Sequence, residues 1–168
     1  MEFYQFEKIQ KLKMPVEIER KYLLDHEKWH KTTKPKGQYI RQGYLVAERD
    51  KTIRVRIAGE KAYLTIKGRS VGSSVPEYEY EIPNQEAEEL LVQFALSDIE
   101  KTRYKYLFQG KIWEIDEFLG ENEGLIIAEI ELLSEDEYFE IPDFIKNEVT
   151  GEKKYYNANL SKMPYGKW

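Results

Sequence analysis

The stretch PVEIERKYLL sets Glu17, Glu19 and Lys21 at alternate positions. In an extended strand alternate side chains share one face, so two carboxylates and an ammonium would stand in a row. The arrangement recurs along the chain. TIRVRI stacks Arg54 and Arg56, YLTIKG stacks Thr65 and Lys67, and EYEYEIP stacks Glu77, Glu79 and Glu81. EKTRYKY stacks Lys101, Arg103 and Lys105, KIWEIDEF stacks Glu114 and Asp116, and LIIAEIELL carries Glu129 and Glu131. Rows of carboxylates are hard oxygen ligands suited to Mg2+ or Mn2+. Rows of bases suit phosphate oxygens, arginine through its two-point fork and lysine as a point charge.

Whether these rows do such chemistry depends on what they face. Antiparallel sheets commonly turn one face to water, and a solvated face is the ordinary reading of any one of these strands. The sharper alternative is a barrel with the charged faces inward, since eight strands can close around a small ligand. Burying Arg54, Arg56, Lys67, Lys101 and Arg103 without a polyanion would be costly, as would burying Glu17, Glu19, Asp116, Glu129 and Glu131 without a cation. Both costs vanish if the cavity holds a metal and a phosphate chain. Strand patterning alone leaves open which face is inside.

The elements that would position these residues are mostly strands. Residues 16–24, QYIRQGYLVAE, KTIRVRIAG, KAYLTIKG, EYEYEIP, EKTRYKYLFQG, KIWEIDEF and LIIAEIELL make eight, rich in β-branched and aromatic residues. Turns fall at Gly59-Glu60 and Gly110, and GRSVGSSVP is a Gly/Ser-rich connection. NQEAEELLVQFAL reads as a helix with Asn84 as its N-cap and an apolar stripe of Leu90, Leu91 and Phe94. PDFIKNEV reads as a short helix, and YYNANLSKMPYGKW as a polar, aromatic, partly irregular tail.

A chain of 168 residues suits a single domain with a sizeable core. Its net charge of -5 argues against a generic duplex-DNA or anionic-membrane partner, without excluding a local cationic pocket. Cysteine is absent, which removes disulfides, zinc-thiolate sites and thiol nucleophiles. The only two histidines, His26 and His30, lie in DHEKWHKTTKPKG, where a surface turn is the expectation. No membrane-length apolar run or secretory pattern is present, so a soluble cytoplasmic protein is expected. No GxxxxGK[ST] loop appears, and GRSVGSS is too loose to stand for one.

The motif PVEIERKYLL resembles the ExExK signature of the CYTH superfamily, the triphosphate tunnel metalloenzymes. QGYL, TIRVRI, YLTIKG, EYEYEIP, IEKTRY, WEIDEF, GLIIAEIEL and EVTGEKKYYNANL resemble the family's ordered landmarks, spanning Val16 to Leu160. The resemblance implies a mainly β (α+β) fold, an eight-stranded antiparallel closed β-barrel or tunnel with a few flanking helices. Its lumen would bind a triphosphate with divalent metal, usually Mg2+ or Mn2+. The domain would span 14–168, with Met14 a natural start and 1–13 an N-terminal extension.

Carried over by motif, Glu17, Glu19, Asp116, Glu129 and Glu131 become metal ligands. Lys21, Arg54, Arg56, Lys67, Lys101 and Arg103 become phosphate contacts, joined by Arg41 of YIRQGYL, which could equally lie on the surface. Glu77 and Glu79 match lumen-facing acids of the substrate site, though by charge alone they could instead partner Arg54, Arg56 or Lys101. Glu17, Glu19, Lys21, Arg56 and Lys101 form the expected catalytic set, and Glu81 and Glu114 are read as rim or solvent residues. Where many relatives carry an arginine before the acidic strand, this chain has Ser74, Val75 and Pro76, so that part of the clamp is either missing or supplied by Arg69.

The implied reaction is metal-assisted phosphoryl transfer to a carboxylate-oriented water, with inorganic tripolyphosphate ranked first and nucleoside triphosphates as a side activity. An adenylyl cyclase or thiamine triphosphatase on the same scaffold, or a non-catalytic polyphosphate-binding module, remains the alternative. The sequence leaves the oligomeric state open, a homodimer included.

Overall fold

The computed structural model describes residues 18–69 and 76–168. Strands dominate: β1 (Ile18–Leu24), β2 (Gly37–Ala47), β3 (Thr52–Ala58), β4 (Lys61–Lys67), β5 (Glu77–Ile82), β6 (Asp98–Phe108), β7 (Lys111–Phe118), β8 (Ile126–Leu132) and β9 (Ile145–Glu148). Among the described residues three α-helices accompany them, α1 (His26–Lys31), α2 (Asn84–Phe94) and α3 (Asn157–Leu160), with three single 3-10 turns. Among the described residues no helix is long and apolar enough to cross a membrane.

All nine strands belong to one antiparallel sheet in the order β5-β4-β3-β2-β6-β7-β8-β1-β9. Although β5 and β1 lie far apart in that order, Glu77 and Glu79 of β5 line the same cavity as Glu19 and Lys21 of β1. Only a sheet curled round on itself brings them together. The tunnel architecture expected from the sequence is therefore present with two differences. Among the described residues there are nine strands rather than eight, and the hydrogen-bond ring stays open between edge strands β5 and β9.

The ninth strand corrects the reading of PDFIKNEV as a helix. Ile145 pairs with Leu24 and Glu148 with Tyr22, so the segment completes the free edge of β1. Short apolar runs are ambiguous by periodicity, and the open strand edge decides this one. A smaller correction concerns α2, whose cap position is Pro83 with no side-chain hydrogen bond, Asn84 being the first helical residue. Both histidines are exposed on α1, a helical turn rather than an irregular one, capped by Asp25 accepting from the Lys28 amide at 3.1 Å.

The outward sheet face carries the main cores. Trp29 of α1 is fully buried with Phe144, against Trp113, Ile115, Ala128 and Ile130 of β7 and β8. On the other half, Ala87 and Leu91 of α2 cover Val55 and Ala62. Gly43 permits that contact, because a Cβ there would meet Ala95 and Leu91 at 2.8 Å. The hairpin between β6 and β7 turns through Gln109 and Gly110, both at positive φ (46 and 79°), the geometry that suits a tight two-residue turn.

One end of the inward face is apolar as well. Leu23, Ile99, Phe118 and Ile127 continue the rows that carry charges further along, and Val149, Tyr155 and Leu160 of the C-terminal segment pack on them. The tail is thus ordered, by short turns and α3 around buried Tyr155 and Leu160.

Candidate active site

The inward faces of β1 to β8 enclose a cavity of about 510 Å3, closed in part by Tyr156, Asn157 and Ala158 of the tail. The period-two rows explain its polarity. Burying Tyr22, Val55, Trp113 and Ile130 outward obliges their neighbours, charged in nearly every strand, to point in.

One wall is acidic. In the β1–β8 ladder Glu19 stands opposite Glu131, and Lys21 opposite Glu129. Lys21 donates to Glu129 and lies 2.9 Å from Glu19 Oε1. Burial alone would lower its pKa, but Glu129 and Glu19 raise it above the ordinary value. Burial and the nearby Asp116 push Glu129 up, yet Lys21, Lys101 and Arg103 outweigh them and hold its carboxyl below the ordinary value. The Glu131 side chain has no hydrogen bond or ion pair among the described residues.

Beneath this wall lies a buried hub. Asp116, 1 % exposed, accepts from Lys101 Nζ at 2.6 Å and from Arg103 Nε and Nη2, each at 2.6 Å. The two cations hold it ionised below its ordinary pKa despite burial. Arg103 also donates to Glu114, and to Glu129 at 3.2 Å. Asp116 does not line the cavity, and its oxygens are committed to bases, which sets it apart from Glu19, Glu129 and Glu131. Glu114, read as a rim residue, does line the cavity.

The facing wall is basic. Arg54 donates to Thr65 Oγ1 at 3.3 Å, Thr65 donates to Glu79 at 2.8 Å, and Arg56 reaches Glu79 at 3.2 Å. Lys67 pairs with Glu77 at 2.9 Å. Burial, and then the neighbouring Arg54 guanidinium, pull Arg56 below its ordinary pKa. The Nε atoms of both arginines are buried without an acceptor. Two adjacent guanidiniums with spare N–H groups make a receptor for an oxyanion.

The sequence reading and the structure part company at two basic positions. Arg41 projects from the opposite face of β2, bonded to Asp98 at 2.7 Å and Glu88 at 2.8 Å, because only Ile40, Gln42 and Tyr44 on that strand point inward. Arg69 pairs with Asp50 in an exposed position outside the cavity lining. Glu17 lies outside the described residues, as do the extension 1–13 and residues 70–75. Conversely, Gln42, Tyr44 and Tyr156 line the cavity without having been singled out. For Gln42 and Tyr44 the signal was present, since both alternate with outward Arg41 and Gly43.

The acid wall fits a divalent cation. Like charges directly opposite on a ladder are unfavourable unless something lies between them, and Glu19 with Glu131 is such a pair. Among the described residues no three carboxylates form a ready-made cage. A small hard ion that keeps several waters and shares its ligands with a substrate phosphate does not require one.

The chain is 51 % identical over 153 residues to the inorganic triphosphatase of Acetivibrio thermocellus, covering 90 % of this chain and 97 % of that enzyme. It is 36 % identical to the inorganic triphosphatase of Nitrosomonas europaea, covering 86 % and 96 %. The crystal structure of an inorganic triphosphatase superposes with a TM-score of 0.63 at 33 % identity, over 86 % of this chain and 93 % of that one. The CYTH domain matches residues 15–165, nearly the whole curled sheet and its tail, and the chain therefore belongs to the CYTH domain family.

Proposed function

We propose that this protein hydrolyses inorganic tripolyphosphate with Mg2+ or Mn2+, with nucleoside triphosphates as a side activity. The observation that carries the reading is the pair of facing walls. Carboxylates that suit a cation stand on β1 and β8, and guanidiniums with unused donors stand on β3. Triphosphatases of the family are metal-dependent, and two relatives bear the name inorganic triphosphatase. Residues 14–168 are read as one catalytic domain, a reading supported by the family match to 15–165.

Glu19 and Glu131, with Glu129 and the proposed ligand Glu17, would hold the ion. When bound, such an ion neutralises phosphate charge and polarises the reacting phosphoryl group. Arg54, Arg56 and Lys67 grip the phosphate chain from the opposite wall. Lys21 and Lys101 hold Glu129 and Asp116 ionised. Asp116 is assigned to fixing Lys101 and Arg103 rather than to direct metal ligation. Water attacks the terminal phosphorus in line, the bond to the bridging oxygen breaks, and orthophosphate and pyrophosphate leave.

Incubating tripolyphosphate, ATP, GTP and thiamine triphosphate separately with Mg2+ and Mn2+, and identifying products by phosphorus NMR, tests the reading. Orthophosphate release from tripolyphosphate is expected. Cyclic AMP with pyrophosphate would mark a cyclase, and binding without turnover a polyphosphate-binding module.

A further inference from the structure

Gln42 sits in the middle of β2, between the basic strand β3 and the strand that carries Lys101. Its ladder partners are Arg56 on one side and Ile99 on the other. It is 1 % exposed, it lines the cavity, and its Nε2 has no hydrogen-bond acceptor. Among the described residues its side chain makes no hydrogen bond at all. Two further orphaned donors, Arg54 Nε and Arg56 Nε, belong to the neighbouring strand of the same cavity.

A buried amide left unpaired is a standing cost to the fold, which an apolar side chain of the same size would not incur. Sheet stability therefore gives no reason for glutamine here. A ligand does. A fourth cation at this point would sit among Arg54, Arg56 and Lys101 and add repulsion whenever the cavity lacked an anion. An amide offers a directional N–H without that charge.

Resting on the triphosphatase reading, we propose that Gln42 is a substrate-binding residue that donates its amide N–H to a phosphate oxygen. It fixes the position of the triphosphate along the cavity. The arginine forks attract the polyanion at many offsets, because neighbouring phosphates look alike to a charge. A single neutral donor of fixed direction favours one offset, the one that leaves the terminal phosphoryl group against the Glu19–Glu131 wall.

The test uses the full chain with Gln42→Met, which keeps the shape and removes the donor, and Gln42→Glu, which keeps the shape and adds negative charge. Affinity for metal-free tripolyphosphate is read by titration calorimetry, stability by thermal unfolding, and kcat and KM with Mg2+. We expect Gln42→Met to melt at or above the wild-type temperature and to bind tripolyphosphate about tenfold or more weakly, the range of a hydrogen bond to a charged group. Gln42→Glu should bind more weakly still. Wild-type affinity in a folded Gln42→Met protein overturns the assignment while leaving the triphosphatase reading intact. A fall in melting temperature with unchanged affinity also overturns it, by making the amide structural. If the wild-type protein neither binds nor hydrolyses tripolyphosphate, both readings fall together.

Discussion

Glu19 and Glu131 face one another directly across the β1–β8 ladder, both on the cavity side. Such like-charge pairs cost a strand pairing about 0.2–1 kcal/mol. Replacing Glu131 with glutamine should therefore leave the metal-free fold as stable as before, or slightly more so, whereas Glu19→Gln also removes one of the two carboxylates beside buried Lys21 and should be slightly less stable. Hydrolysis should fall about 100- to 1000-fold, the usual effect of deleting one preorganised electrostatic contact. Melting curves without metal, beside turnover with Mg2+, read both quantities. A folded Glu19→Gln protein with wild-type turnover would remove Glu19 from the metal site.

On the opposite wall, Arg56 is pulled below its ordinary pKa by burial and by Arg54, while Glu79 supplies only a partly exposed ion pair. Partly exposed pairs contribute about 1 kcal/mol or less. Arg56→Ala should thus cost little stability, yet weaken tripolyphosphate binding about tenfold or more. Calorimetry and denaturant unfolding on the same variant separate the two effects. The opposite pattern, a large stability loss with unchanged affinity, would make Arg56 a structural partner of Glu79.

Asp116 predicts an acid limit to stability. Its carboxyl, with an ordinary value of 3.8, is held lower in the fold by Lys101 and Arg103, and that of Glu129, ordinarily 4.5, is lowered too. A depressed folded pKa contributes stability that is fully present above the unfolded value. Stability should therefore be level above about pH 4.5 and decline as pH falls through the depressed folded values. Asp116→Asn leaves Lys101 and Arg103 buried with less counter-charge, and should cost about 3–5 kcal/mol near neutrality. It should also flatten the acid decline. Urea unfolding from pH 3 to pH 8 measures both, and an unchanged acid limb in the variant would show that Asp116 does not govern it.

The rows of alternating charge made the inner wall legible from sequence, because a strand's period of two ties each inward residue to an outward one. Arg54 with Val55, and Glu129 with Ile130, are such ties. The resemblance, not the pattern, selected inside over outside. What stayed hidden depended on contacts distant in sequence. PDFIKNEV became β9 only because β1 offered a free edge, and Arg41 was lost to Asp98 and Glu88 because Gln42 took the inward place. Gln42 itself carries no charge, and so did not stand out among residues chosen for charge.

Substrate choice follows from where the donors lie. The cavity offers Arg54, Arg56 and Lys67 to a phosphate chain, whereas its aromatic lining among the described residues is Tyr44 and Tyr156. Tyr44 is buried and its hydroxyl is raised in pKa by that burial, while Tyr156 lies with its ring centre 5.9 Å from Lys21 Nζ. A tyrosine ring can stack on any base but does not distinguish adenine from guanine. Contacts made equally in the ground and transition states would not raise kcat in any case. Tripolyphosphate should therefore be hydrolysed with a higher kcat/KM than ATP, with ATP and GTP nearly equal. Pyrophosphate should be poor, since it is too short to reach the acid wall and the arginines together. Steady-state rates for the four under one Mg2+ concentration decide the matter. A strong preference for ATP over both GTP and tripolyphosphate would mean that adenine is read by groups this cavity does not present, and would move an adenine-specific reaction ahead of the triphosphatase.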